Sequence, residues 1–150
     1  MLGGLGSNSA RSAKKIVPTL WVWGSNTYGT LGLGVAGLGR SVPVQLDRGM
    51  NWSSVSAGNQ HTLAIKSTGS LWAWGSNTIG QLGLGDATTG RSSPVQIGTD
   101  TNWSSVSAGQ VHTVAIKSTG SLWAWGYNTI GQLGLGNTTV RSSPVQVGTD

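Results

Sequence analysis

One interval organises this chain. Trp21, Trp72 and Trp123 stand 51 residues apart, and Trp52/Trp103 and His61/His112 keep the same spacing. Residues 51–86 and 102–137 align without a gap and differ at five of 36 positions. One residue is then lost, so Pro94 and Pro144 lie 50 apart. A period of this length marks chains built by stacking one supersecondary unit, each unit burying its apolar face against the next. The sequence divides into a basic, Gly/Ser-rich leader (1–15) and a repeat segment (16–150). That segment holds a partial unit (16–50), a full unit (51–101) and a nearly full unit (102–150).

Inside a unit the local signals are those of strands. Trp52-Ser-Ser-Val-Ser-Ala-Gly58 alternates and ends on glycine. His61-Thr-Leu-Ala-Ile-Lys66 sets His61, Leu63 and Ile65 on one side and Thr62, Ala64 and Lys66 on the other. Ser67-Thr-Gly-Ser70 reads as a hairpin loop, with Gly69 free to take a positive φ. Leu71-Trp-Ala-Trp-Gly75 continues as a strand. Residues 76–85 are too rich in glycine for a helix, since each glycine costs about 1 kcal/mol in a helix interior. Arg91-Ser-Ser-Pro-Val-Gln-Ile97 closes the unit, and Pro94 suits an outer edge because it donates no ladder hydrogen bond. Four short strands in one period are the proportions of a propeller blade, which runs ~40–50 residues. The expected fold is all-β, a partial β-propeller of about two and a half four-stranded antiparallel blades.

These strings carry a resemblance. A strand ending in Trp-Gly, then Asn, then Gly-Gln-Leu-Gly recurs as Gly75/Asn77/Gly80-Gln81-Leu82-Gly83 and as Gly126/Asn128/Gly131-Gln132-Leu133-Gly134. Gly24/Asn26/Gly29-Thr30-Leu31-Gly32 is a copy without the glutamine. The pattern resembles the regulator of chromosome condensation repeat family over roughly residues 16–150. The resemblance implies a seven-bladed ring in which strands from both termini complete one blade, more blades than this segment holds. The light-sensing branch of that family carries Gly-Trp-Arg-His-Thr where this chain has Gly58-Asn-Gln-His-Thr62 and Gly109-Gln-Val-His-Thr113. With neither tryptophan nor arginine there, light sensing is not expected.

Chemistry has little material. There is no cysteine, hence no disulfide, thiolate nucleophile or Cys-based zinc site. Glutamate is absent, and the four aspartates form no calcium-loop pattern. Gly75–Gly80 has the spacing of a phosphate-cradling loop, but Gln81-Leu82 replace the lysine and hydroxyl residue that such a loop needs. His61 and His112 are tempting bases. A catalytic group is needed once, however, so a histidine recurring every 51 residues reads as a strand-end residue with a backbone partner. No catalytic residue, metal or cofactor is expected, and the chain reads as a non-enzyme. Of the formal charge of +5, Arg11, Lys14 and Lys15 lie in the leader; the rest of the chain sets six basic residues against four aspartates. That is no nucleic-acid stripe, and no apolar run suits a membrane.

What remains is binding. Most positions that differ between near-identical units fall in inferred loops, where scaffolds place recognition, and read as free of structural demand. They give the candidate partner-contact residues Asn59, Gln60, Asp86, Gln110, Val111, Tyr127 and Asn137, with Tyr28 in the first unit. An uncovered blade face forgoes on the order of 10 kcal/mol of burial. The expected function is a scaffold or protein-binding module completed by self-association or by another chain's blades, such as a repetitive surface or virion component. The expected partner is therefore protein, as a homo-oligomer or a chain supplying further blades. The alternatives are guanine-nucleotide exchange or chromatin adaptation, implied by the resemblance, and a segment of a longer propeller.

Overall fold

A computed structural model describes residues 19–46 and 49–148. The basic, Gly/Ser-rich leader (1–15) lies outside the described residues. Among the described residues ten strands run in chain order: β1 (Leu20–Asn26), β2 (Gly37–Leu46), β3 (Trp52–Ala57), β4 (His61–Lys66), β5 (Leu71–Gly75), β6 (Arg91–Gln96), β7 (Trp103–Ala108), β8 (His112–Lys117), β9 (Leu122–Gly126) and β10 (Arg141–Gln146). They form one two-stranded and two four-stranded antiparallel sheets, ordered β1-β2, β3-β4-β5-β6 and β7-β8-β9-β10. The fold is thus all-β, with two complete blades and half of a third.

Each blade is a meander because each connection carries its turn chemistry. Gly69 takes φ +83° in the β4–β5 hairpin, a conformation that costs glycine nothing. Pro94 and Pro144 sit in β6 and β10, the outer strands of their sheets. There the missing N–H leaves no ladder bond unmade. The ladder slips between Ala73 and Gly75 on β5, and the same slip recurs between Val22 and Gly24 on β1. Ser92 on β6 and Ser142 on β10 lie within such slips of the outer strand. The Ser92 carbonyl accepts from Gly34 N–H at 2.8 Å, and the Ser142 carbonyl accepts from Gly85 N–H at 2.9 Å, each joining one blade to the one before.

The core lies between blades. Leu63, Ile65, Leu71 and Leu82 of the second blade pack on Trp103, Val106, Ala115 and Trp125 of the third. Leu20, Val22 and Leu31 of the first pack on Trp52, Ala64 and Trp74 of the second. A side chain on β4 therefore faces one neighbour or the other, and β4 is buried along nearly its whole length.

Candidate functional site: the blade faces and their loops

The blade interface repeats one polar device. The indole N–H of Trp74 and the hydroxyl of Thr62 both donate to the Thr30 carbonyl, at 2.8 and 2.9 Å. One unit on, Trp125 and Thr113 donate to the Gln81 carbonyl at 3.0 and 2.9 Å. The receiving carbonyl lies in the glycine loop of the preceding blade. That loop is held by Asn77, whose amide donates to the Asp86 carbonyl (3.0 Å) while its oxygen accepts from Leu82 N–H (3.1 Å). Asn26 and Asn128 make the equivalent bonds. Glycine is required beside the indole: a Cβ on Gly83 would lie 2.7 Å from Trp125 Nε1, and one on Gly32 3.0 Å from Trp74 Nε1.

His61 belongs to this interface. Its Nε2 lies 3.1 Å from Thr113 Oγ1. Because the Thr113 hydroxyl proton goes to Gln81, the imidazole must donate through Nε2–H. The strand-end histidine thus has a side-chain partner in the next blade rather than a backbone one. Its Nδ1 is buried without a partner. Burial, with a contribution from His112, lowers the pKa of His61 from 6.5 to about 4, so it is neutral at physiological pH.

The loop candidates divide into groups. Tyr28, Asn59 and Gln60 come together, with Trp23, Gly58 and Thr30, around a cavity of about 420 Å³ between the first and second blades. Val111 and Tyr127 are adjacent, the Tyr127 N–H donating to the Val111 carbonyl at 2.9 Å, and Gln110 precedes Val111 in the same turn. Asp86 and Asn137 stand apart from these groups at the far end of the glycine loops, held by their own blades. Asp86 accepts from Arg91 at 2.8 Å and from the Asn77 amide at 2.6 Å. Burial works to raise its pKa, but the Thr88 backbone, Arg91 and Asn77 together bring it below the ordinary carboxylate value. Asn137 bonds to Leu135 and Thr139 of its own loop. Among the described residues no group of three or more His, Cys, Asp or Glu could hold a metal.

Lys66 and Lys117 are features that strand alternation did not single out. Lys66 Nζ lies 3.5 Å from the Trp72 ring centre and 5.4 Å from that of Trp52. Lys117 lies 4.0 and 4.8 Å from Trp123 and Trp103, and pairs with Asp100 at 2.7 Å. The 51-residue spacing of the two lysines was the available signal.

Both ends of the stack present apolar surface. Ile65 and Leu71 are 2% and 0% exposed, whereas their counterparts Ile116 and Leu122 are each 40% exposed. At the other end Trp21 and Trp23 are 49% and 61% exposed, although Trp74, the counterpart of Trp23, is fully buried.

Blades joined through a glycine loop and a tryptophan donor define the class, a propeller segment of tandem repeats. The regulator of chromosome condensation (RCC1) repeat matches residues 19–65, 68–116 and 119–150, and a second pattern of that repeat matches 52–81 and 103–132. The chain belongs to this family. It is 39% identical over 122 residues to the ultraviolet-B receptor UVR8 of Arabidopsis thaliana, covering 80% of this chain and 28% of the receptor. It is 33% identical over 125 residues to the E3 ubiquitin-protein ligase HERC2 of Homo sapiens, covering 81% of this chain and 3% of the ligase. The crystal structure of Prp20p from Saccharomyces cerevisiae superimposes with a TM-score of 0.78 at 22% identity, over 87% of this chain and 34% of that one. The structure of Kap60 bound to yeast RCC1 (Prp20) matches with a TM-score of 0.76 at 23% identity, over 87% and 33%. The chain thus spans about a third or less of each of these proteins.

Proposed function

We propose that this chain is a non-enzymatic protein-binding scaffold whose end faces are completed by further blades, from copies of itself or from another chain. The observation that carries the reading is the exposure of residues that the same fold buries one unit away: Ile116 and Leu122 at one end, Trp23 at the other. Exposed apolar surface that is contiguous and rimmed by polar groups marks interaction sites. A blade face built like an interior is such a surface. A yeast member of the family is described bound to Kap60, which supports protein as the partner class. The varying loops that carry Tyr28, Asn59, Gln60 and Tyr127 are a second surface available for the same role.

Sedimentation equilibrium of the purified chain tests the reading. Species heavier than the 15.4 kDa monomer, or a stable complex with separately produced blades of this repeat type, are expected. A monomer at every concentration that also takes up no added blades refutes it.

A further inference from the structure

β1 corresponds position by position to β5 and β9: Trp21 to Trp72 and Trp123, Trp23 to Trp74 and Trp125. Both counterparts are laddered on two edges, β5 by β4 and β6, β9 by β8 and β10. β1 pairs, among the described residues, with β2 alone. The side chains beside its other edge are correspondingly uncovered. Val55 is 48% exposed where its counterpart Val106 is 8% exposed, and with Trp21, Trp23, Leu31, Ala57 and Thr62 it lines a recess of about 350 Å³. The leader is poorly suited to this place. Ser12 and Lys14 stand 51 residues before Leu63 and Ile65, the two aliphatic residues that β4 buries against the third blade.

We propose that the edge of β1 left unpaired among the described residues, together with this recess, forms a strand-acceptor site for the opening hairpin of an RCC1-type blade carried by another polypeptide. The inference rests on the scaffold reading above and names the element that one end face takes up. The two complete blades state the chemistry of the occupant. Its second strand runs antiparallel to β1 in the register of β4 on β5, with threonine opposite Trp23 and an aliphatic residue opposite Val22. Main-chain ladder bonds supply affinity, and alternate side chains supply specificity. The two aliphatic residues cover Val55 and Ala57, as Leu63 and Ile65 cover Val106 and Ala108 one blade on. The first residue of that strand is histidine. Thr62 uses its proton on the Thr30 carbonyl, so its oxygen is open to an imidazole N–H, as Thr113 receives that of His61. The site therefore continues the interface that already joins the described blades.

The test uses the full chain and a fluorescent peptide with the sequence of residues 51–66, followed by anisotropy. Saturable 1:1 binding is expected. Leu63→Lys with Ile65→Lys in the peptide, or Val55→Lys in the protein, should each weaken it at least about tenfold, because a charge would be buried without a partner. Val55 is already exposed, so an unchanged melting temperature of V55K shows that the fold is kept. Three results each overturn the proposal: no saturation by the full chain, equal binding by V55K, or binding only after removal of residues 1–15, which assigns the recess to the leader. The two readings fail separately. A chain that assembles or takes up whole blades, but binds this peptide no better than a scrambled one, keeps the scaffold reading and loses the acceptor site.

Discussion

Acidification should loosen the interface between the second and third blades, and His61 sets both the size and the window. In the folded chain its pKa is about 4; the unfolded chain has the ordinary 6.5. Between these values the unfolded state binds the extra proton, so stability falls as pH falls and levels off below about 4. The limiting slope is ~1.4 kcal/mol per pH unit, and the whole window is worth on the order of 3 kcal/mol. That is a large share of the 5–15 kcal/mol that typically holds a domain together. The physical cause is the imidazole's setting. Nε2 is committed to Thr113, and Nδ1, where the added proton must go, is enclosed beside Gly58 without an acceptor. The assay is urea unfolding, followed by tryptophan emission, at pH values from 7 to 4.5. Wild type and His112→Gln should lose stability along that range. His61→Gln, whose amide can still donate to Thr113 but carries no titrating ring, should follow a markedly flatter line. Parallel profiles for wild type and H61Q would refute the assignment of the acid response to this residue.

Two further outcomes follow from the loop geometry. Gly83→Ala forces a Cβ to within 2.7 Å of the Trp125 indole nitrogen, whereas Gly134→Ala meets only the Val147 side chain at 3.6 Å. Both positions have positive φ. Thermal unfolding should therefore show G83A less stable than G134A by roughly 1–3 kcal/mol, and equal losses would refute the close approach. Asn77→Ala strips three hydrogen bonds from a fully buried side chain, leaving the buried Leu82 N–H and the half-buried Asp86 carbonyl without that partner. A loss of about 2–4 kcal/mol is expected in the same assay, and a loss under about 0.5 kcal/mol, typical of a surface site, would contradict that account.

The strand order, the hairpin at Gly69 and the outer place of Pro94 were legible in the sequence because each depends on local chemistry repeated twice. The family followed from the Asn77 and Asn128 strings for the same reason. The interface was less legible. The atom that receives Trp74 and Thr62 is the main-chain carbonyl of Thr30, and a carbonyl leaves no trace in residue identity. His61 reads in the sequence as a strand-end residue with a backbone partner, but its partner is a side chain 52 residues away in the next blade, beyond any local rule. Lys66 and Lys117 repeat on schedule, yet alternation places them only by side and says nothing of the rings beneath. Among the loop candidates, variation between units grouped positions that the fold separates. Tyr28, Asn59 and Gln60 share a cavity, whereas Asp86 and Asn137 serve their own loops.

The seam between neighbouring blades is received by a peptide oxygen, and this bears on how such arrays change length. Thr30 and Gln81 differ in side-chain size, branching and functional group, yet their carbonyls accept the same two donors at nearly equal distances. A duplicated 51-residue block brings its own donors and offers its own acceptor, so it fits beside any sibling without compensating substitutions. Gene-level copying or loss of whole units then alters the span of the stack while leaving every joint chemically the same.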